Sequence, residues 1–156
     1  MSSRLVDAVE ASSVAYYRLV LLAGPLGSGK TRVLQSVAAE TGWPVLNLGL
    51  ELGKSLAATP PSRRASAASE VTTKLIAAQR SGVVVIDNIG VLFDSSLKLQ
   101  PLELLKQASR SVTLVIAWPG AFESGALVYA EPGYQEHRSF DATGVSVLPI
   151  ESVRIH

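Results

Sequence analysis

The chain of 156 residues contains no cysteine. Disulfides and thiolate metal sites are therefore excluded. Imidazole is nearly absent too: His137 and His156 are the only two histidines, too few for a structural zinc site. Charge is sparse, at 17% of residues, and almost balanced, with a formal net value of +1. Whole-molecule charge thus gives no argument for autonomous nucleic-acid binding, and only a local basic patch stays open. No apolar run approaches the roughly 20 residues needed to span a bilayer. The opening residues Met1-Ser2-Ser3-Arg4-Leu5-Val6-Asp7 lack the apolar stretch of a secretory signal. A cytoplasmic location without membrane contact is the expectation. Repeats and low-complexity linkers are also missing, so residues 1–156 read as one domain. What the chain has in quantity is apolar surface, at 47% of residues. Solid apolar runs suit a parallel sheet covered on both faces.

Residues 24–31 read Gly24-Pro25-Leu26-Gly27-Ser28-Gly29-Lys30-Thr31. This is the G-x-x-x-x-G-K-[ST] spacing of a phosphate loop, and it names a ligand: ATP or another nucleoside triphosphate, with Mg2+. Gly24, Gly27 and Gly29 permit backbone conformations closed to other residues. The loop can then curl its N–H groups toward phosphate oxygens, at a helix mouth whose dipole also favours an anion. Lys30 is placed for the β/γ phosphates and Thr31 for the metal. Arg32, at the start of the following helix, closes the cofactor-binding set that runs from Gly24. The context agrees: the strand expected over residues 16–23 precedes the loop. A helix over 32–40 follows, with Val33, Leu34 and Val37 on one face.

The rest alternates in the same way. An amphipathic helix is expected over 3–15, with Leu5 and Val9 inward. Gly42 is placed as a left-handed cap. A short edge strand covers 43–48, where Pro44 cannot donate to a ladder. Residues 49–58 read as a loop and short helix, and 66–80 as a longer helix with Val71, Leu75, Ile76 and Ala78 inward. Strands follow at 83–87, at 112–118 (ended by Pro119-Gly120) and at 145–150. Pro101 opens a helix running to 109. Residues 120–142 read as irregular, with a hairpin piece at 127–129.

Val83-Val84-Val85-Ile86-Asp87 ends an apolar strand in a carboxylate. In phosphate-loop proteins such an Asp holds Mg2+, directly or through water, so Thr31 and Asp87 are the expected metal residues. The order of elements resembles the branch of phosphate-loop ATPases with an additional strand between the loop strand and the Asp strand. That implies an α/β, three-layer, AAA-like core with a mainly parallel five-stranded sheet. Members usually carry glutamate after the Asp to polarise the attacking water. Here the position is Asn88, and an amide orients water but cannot take its proton. Glu51 and Asp94 are the nearest substitute acids, if they are not simply solvated loop carboxylates. Trp118 stands where many members place a polar γ-phosphate sensor; it offers an indole N–H or packs in the core. Only residues 151–156 follow the last strand, so the C-terminal helical lid of AAA-type ATPases is not expected. Arg138, and after it Arg110, are candidates for an arginine finger serving a neighbouring subunit. Arg63 and Arg64 read as loop charges, or as contacts to a phosphate backbone or acidic partner. The candidate catalytic set is Lys30, Asp87, Asn88 and Arg138.

Several stretches together resemble a narrower family. They are Asn47-Leu48-Gly49-Leu50-Glu51-Leu52, the D-N-I-x-x-L-F-D run from Asp87 to Asp94, Ser109-Arg110 leading into Val115-Ile116-Ala117-Trp118, and the segment 125–138 with its Y-A-x-P-G piece. From about residue 18 to 150 the chain is similar to BrxF, the small phosphate-loop protein of type III bacteriophage exclusion (BREX) systems. The resemblance implies that Asp-Asn is the family's own pattern and that the role is anti-phage defence. It further implies other BREX subunits as partners: a DNA methyltransferase, a large ATPase, a helicase and an alkaline-phosphatase-like protein. A homo-oligomer on nucleotide binding and DNA contact only through the complex are the associated expectations. Residues 120–142 are the expected partner-facing part. Two other readings stay open: a non-hydrolysing switch in which nucleotide orders residues 88–96, and a small-molecule kinase, which requires an arginine-bearing lid.

Overall fold

A computed structural model describes residues 3–25, 27–123, 126–129 and 138–153. Its centre is a sheet whose first strand, β1 (Leu19–Gly24), is buried along its whole length. Successive side chains of a strand point to opposite faces. Leu19, Leu21 and Ala23 therefore enter one core, and Val20 and Leu22 the other. The first core is closed by α3 (Leu48–Ala57), α4 (Arg64–Ala77) and α5 (Pro101–Ala108). The second is closed by α1 (Ser3–Ser12), α2 (Lys30–Thr41) and the short α6 (Ile150–Val153). This is the expected three-layer α/β arrangement.

The parallel strands run in the order β2-β3-β4-β1-β7, with β2 (Val45–Asn47), β3 (Val83–Asp87), β4 (Thr113–Glu123) and β7 (Ser146–Pro149). All four pairings are parallel, with β4 lying between the loop strand and the Asp strand. The register Leu21 to Ile116 and Val84 to Leu114 brings the C-terminal ends of β1 and β3 to one edge.

Beyond this frame the structure corrects several expectations. β4 does not stop at Trp118 but continues through Pro119-Gly120 to Glu123. Gly24 faces both Pro119 and Gly120, which is a bulge, and proline's missing N–H is tolerated there. Past the bulge β4 pairs antiparallel with β5 (Ala126–Tyr129), and β5 with β6 (Arg138–Asp141). The sheet thus has seven described strands rather than five, and the described parts of 120–142 are largely strand.

α4 starts earlier than expected and is rotated. Its buried stripe is Ala68, Thr72 and Ile76, while Val71 and Leu75 are half-buried and Ala78 is exposed. Arg64 is not a loop charge. Its Nε donates to the Leu56 and Thr59 carbonyls at 2.8 and 3.0 Å, fixing α4 against the C-terminus of α3. Buried Thr72 returns its hydroxyl to the Ala68 carbonyl at 2.8 Å. α3 begins at Leu48, directly after β2, and α1 ends at Ser12. Gly42 does cap α2 in the left-handed conformation (φ 81°), its N–H bonding to Ala38. No described helix is long and apolar enough to cross a membrane.

Candidate nucleotide site

β1 ends at Gly24, and the chain returns through the glycine-rich loop into α2. Gly27 and Gly29 have φ of 80° and 99°, values that a side chain would make costly. Gly24 is needed for space instead: a Cβ there would lie 2.6 Å from Ser28 Oγ and 2.8 Å from Ile150 Cγ2. Leu26 lies outside the described residues. Lys30, buried at the start of α2, donates from Nζ to the carbonyls of Gly24 and Pro25 at 2.5 and 2.8 Å. Burial pushes its pKa below the usual lysine range, and the Asp87 carboxylate acts in the opposite direction.

Thr31 donates to Asp87 Oδ2 at 2.7 Å, across 56 positions of sequence. Asp87 Oδ1 accepts the N–H of Asn88 at 2.8 Å. A hydroxyl and a carboxylate side by side are hard oxygen donors of the kind Mg2+ selects, with phosphate oxygens and waters as its remaining ligands. The pair fits the ion. The described residues hold no cluster of three or more His, Cys, Asp or Glu side chains. Asp87→Asn is therefore expected to lower nucleotide affinity about tenfold in Mg2+ and hardly at all in chelator, as read by calorimetric titration in both buffers.

Asn88 has a left-handed backbone, φ 61°. Its Nδ2 donates to Asn47 Oδ1 at 2.9 Å, and the same oxygen caps α3 by accepting the Leu50 N–H at 3.1 Å. Gly49 lies beneath: a Cβ there would come within 2.6 Å of Asn88 Cγ. The Asn88 amide is thus clamped to the first turn of α3. Sequence reasoning missed Asn47 and Gly49. An Asn immediately before an apolar helical run was the available signal for a cap.

Residues 27–31, Asn47, Asp87 and Asn88 line a groove of about 810 Å3, together with Arg32, Gln35, Ile89, Gly90, Ala117 and Pro119. Glu51 and Asp94 do not line it. Glu51 sits 3.6 Å from Lys54 on α3, and Asp94 caps a 3-10 turn through Ser96. The Ser96 hydroxyl and N–H hold the Asp94 carboxyl below its ordinary pKa. Arg110 is stacked 4.3 Å from the Tyr16 ring, just before β4 and so at the end of the sheet opposite the loop. The backbone of Arg138 opens β6 opposite Tyr129; the finger assignment concerns its side chain, which lies outside the described part of the structure. Trp118 is a packing residue: fully buried, edge-on to Phe93 and Phe140 at 5.3 and 5.4 Å, with its N–H 3.4 Å from the Val128 carbonyl.

A family model for the ATPase family associated with various cellular activities (AAA) matches residues 20–117. The match covers more than half of the chain and runs from β1 through the loop and Asp87 to Ala117 within β4. The chain belongs to this family. No curated protein matches it. The domain is accordingly a nucleotide-binding phosphate-loop domain of the AAA type.

Proposed function

We propose that this protein is an ATP-binding accessory subunit whose hydrolysis is slow alone and is completed by a second copy or a partner. The observation that carries this reading is the acid content of the groove. Among its described lining residues Asp87 is the only carboxylate, and it is taken up by Thr31 and the Asn88 N–H. Lys30 and the loop N–H groups would hold the triphosphate, and Thr31 and Asp87 the metal, which supplies charge neutralisation at the β and γ phosphates. A general base for water lies in none of these roles. The resemblance to BrxF supports placing the subunit in a cytoplasmic bacteriophage-exclusion complex. The near-neutral charge supports DNA contact through partners rather than by this chain.

The test is turnover per chain across a concentration series, run beside mass in solution with and without ATP and Mg2+. Turnover per chain is expected to rise as mass rises, and to vanish in Lys30→Ala. Turnover that survives Lys30→Ala would sink the mechanism. A second reading, the non-hydrolysing switch, is favoured by the Asn88–Asn47 clamp, which joins the metal strand to α3. It predicts no turnover at any concentration but a nucleotide-dependent change in proteolytic protection at residues 88–96.

A further inference from the structure

A second groove, of about 700 Å3, runs between α4 and α5. It reaches Ser81 and Val112, which precede β3 and β4, so it opens at the end of the sheet opposite the phosphate loop. Apolar area dominates its lining, contributed by Ile76 and Ala77 from α4 and by Leu99, Leu104, Ala108 and Val112 from the other side. The α4 residues along it include Ser69, Thr73 and Ile76, at i, i+4 and i+7, and Arg80 lies just past the end of the helix. The helical row is about 10 Å long, at 1.5 Å per residue. Leu104 and Ala108 repeat at i, i+4 on α5. Two roughly facing helical rows with an apolar trough between them match the shape of a third helix of about two turns.

Charge selects the occupant. Arg80 and Lys98 are exposed on the rim, and neither side chain has a hydrogen bond or ion pair among the described residues. The rim acid, Glu103, is already 3.6 Å from Lys106. Both free cations also occupy left-handed backbone, φ 52° and 54°, just past a helical turn. Glycine or asparagine is the ordinary choice there, and other side chains are strained. Cations are thus carried where local backbone chemistry disfavours them.

We propose that this groove docks an acidic amphipathic helix of a partner protein, its aliphatic side chains in the trough and its carboxylates on Arg80 and Lys98. Docking there leaves the nucleotide groove open.

The probe is a synthetic helix-forming peptide with leucine at i, i+4 and i+7 and glutamates at both ends, beside a counterpart with lysines in their place. The double variant Arg80→Gly, Lys98→Gly removes both cations while relieving the left-handed backbone, so it should fold at least as well as the parent. Expected results are binding of the acidic peptide with shifts in the Ala77, Leu104 and Ala108 amide resonances, and about tenfold weaker binding of the basic peptide. The double variant should lose that preference with its unfolding midpoint unchanged or raised, and with nucleotide affinity intact. Equal binding of the two peptides, binding of neither, or a preference that survives the double variant would overturn the proposal. Self-association of the chain that the double variant abolishes would make a second copy the occupant, and would equally overturn a partner helix.

Discussion

Lys30→Ala is expected to lower nucleotide affinity by at least about 100-fold, because charge-assisted hydrogen bonds contribute roughly 1.5–3 kcal/mol each and lysine would make more than one. Nζ is already gathered into the loop by the Gly24 and Pro25 carbonyls. It needs little reorganisation to meet phosphate. Lys30→Met separates function from folding, since methionine keeps most of the apolar stem that the buried lysine contributes. Its affinity loss should match that of alanine with a smaller change in thermal midpoint. The pH dependence has a definite sign. The folded pKa of Lys30 lies below its ordinary 10.5, with burial as the larger cause. Between those two values the unfolded chain binds more protons than the folded one, so stability rises with pH across that window. Below the window the cost of burying the cation is fully present. Lys30→Met should flatten that rise in chemical unfolding followed as a function of pH. Nucleotide affinity of the parent should fall as pH climbs through the lowered pKa, because a neutral amine attracts phosphate far less.

The phosphate loop was legible because its chemistry is local. Gly27 and Gly29 need positive φ whatever surrounds them, and eight consecutive residues carry the whole signal. Asp87 was legible for a related reason: a buried strand reads as an apolar run, and a carboxylate ending it stands out. The supports of the site were not legible. The role of Asn47 depends on a hydrogen bond to a residue 41 positions away, and Gly49 looks like any loop glycine until Asn88 lies on it. Pro119-Gly120 carried a correct local breaker signal that tertiary pairing overrode through a bulge beside Gly24. In α4 hydrophobicity favoured Val71 and Leu75, yet the buried stripe passes through small Ala68 and Thr72. Arg64 fixes that rotation through two carbonyls on and just beyond α3, and no periodicity in the α4 sequence encodes such a bond.

Gly49→Ala is expected to damage both stability and metal-dependent nucleotide binding, although it touches neither nucleotide nor metal. The new Cβ would lie 2.6 Å from Asn88 Cγ and 2.8 Å from the Asn88 backbone oxygen, and it would overlap Asn88 Nδ2 as well. A flexible side-chain tip could move aside, but a backbone carbonyl moves only with its strand. Asn88 is also held at both ends, by its left-handed φ of 61° and by the bond to Asn47. The end of β3 must therefore separate from α3. Asp87 moves with it, since its Oδ1 accepts the Asn88 N–H while Oδ2 holds Thr31. Overpacking of this kind costs about 1–3 kcal/mol, against about 1 kcal/mol that alanine returns as the better helix former. A net loss of up to roughly 2 kcal/mol should appear as a fall of several degrees in thermal midpoint. Affinity in Mg2+ should fall more than affinity in chelator. Asn88→Gly supplies the internal control, because it removes the obstructing side chain and fits the left-handed backbone. By itself it loses the clamp to Asn47. Combined with Gly49→Ala it should restore part of the lost stability, so that the two changes are non-additive. Strict additivity, or a harmless Gly49→Ala, would mean that the first turn of α3 does not bear on the metal strand, and the clamp would then have no part in positioning Asp87.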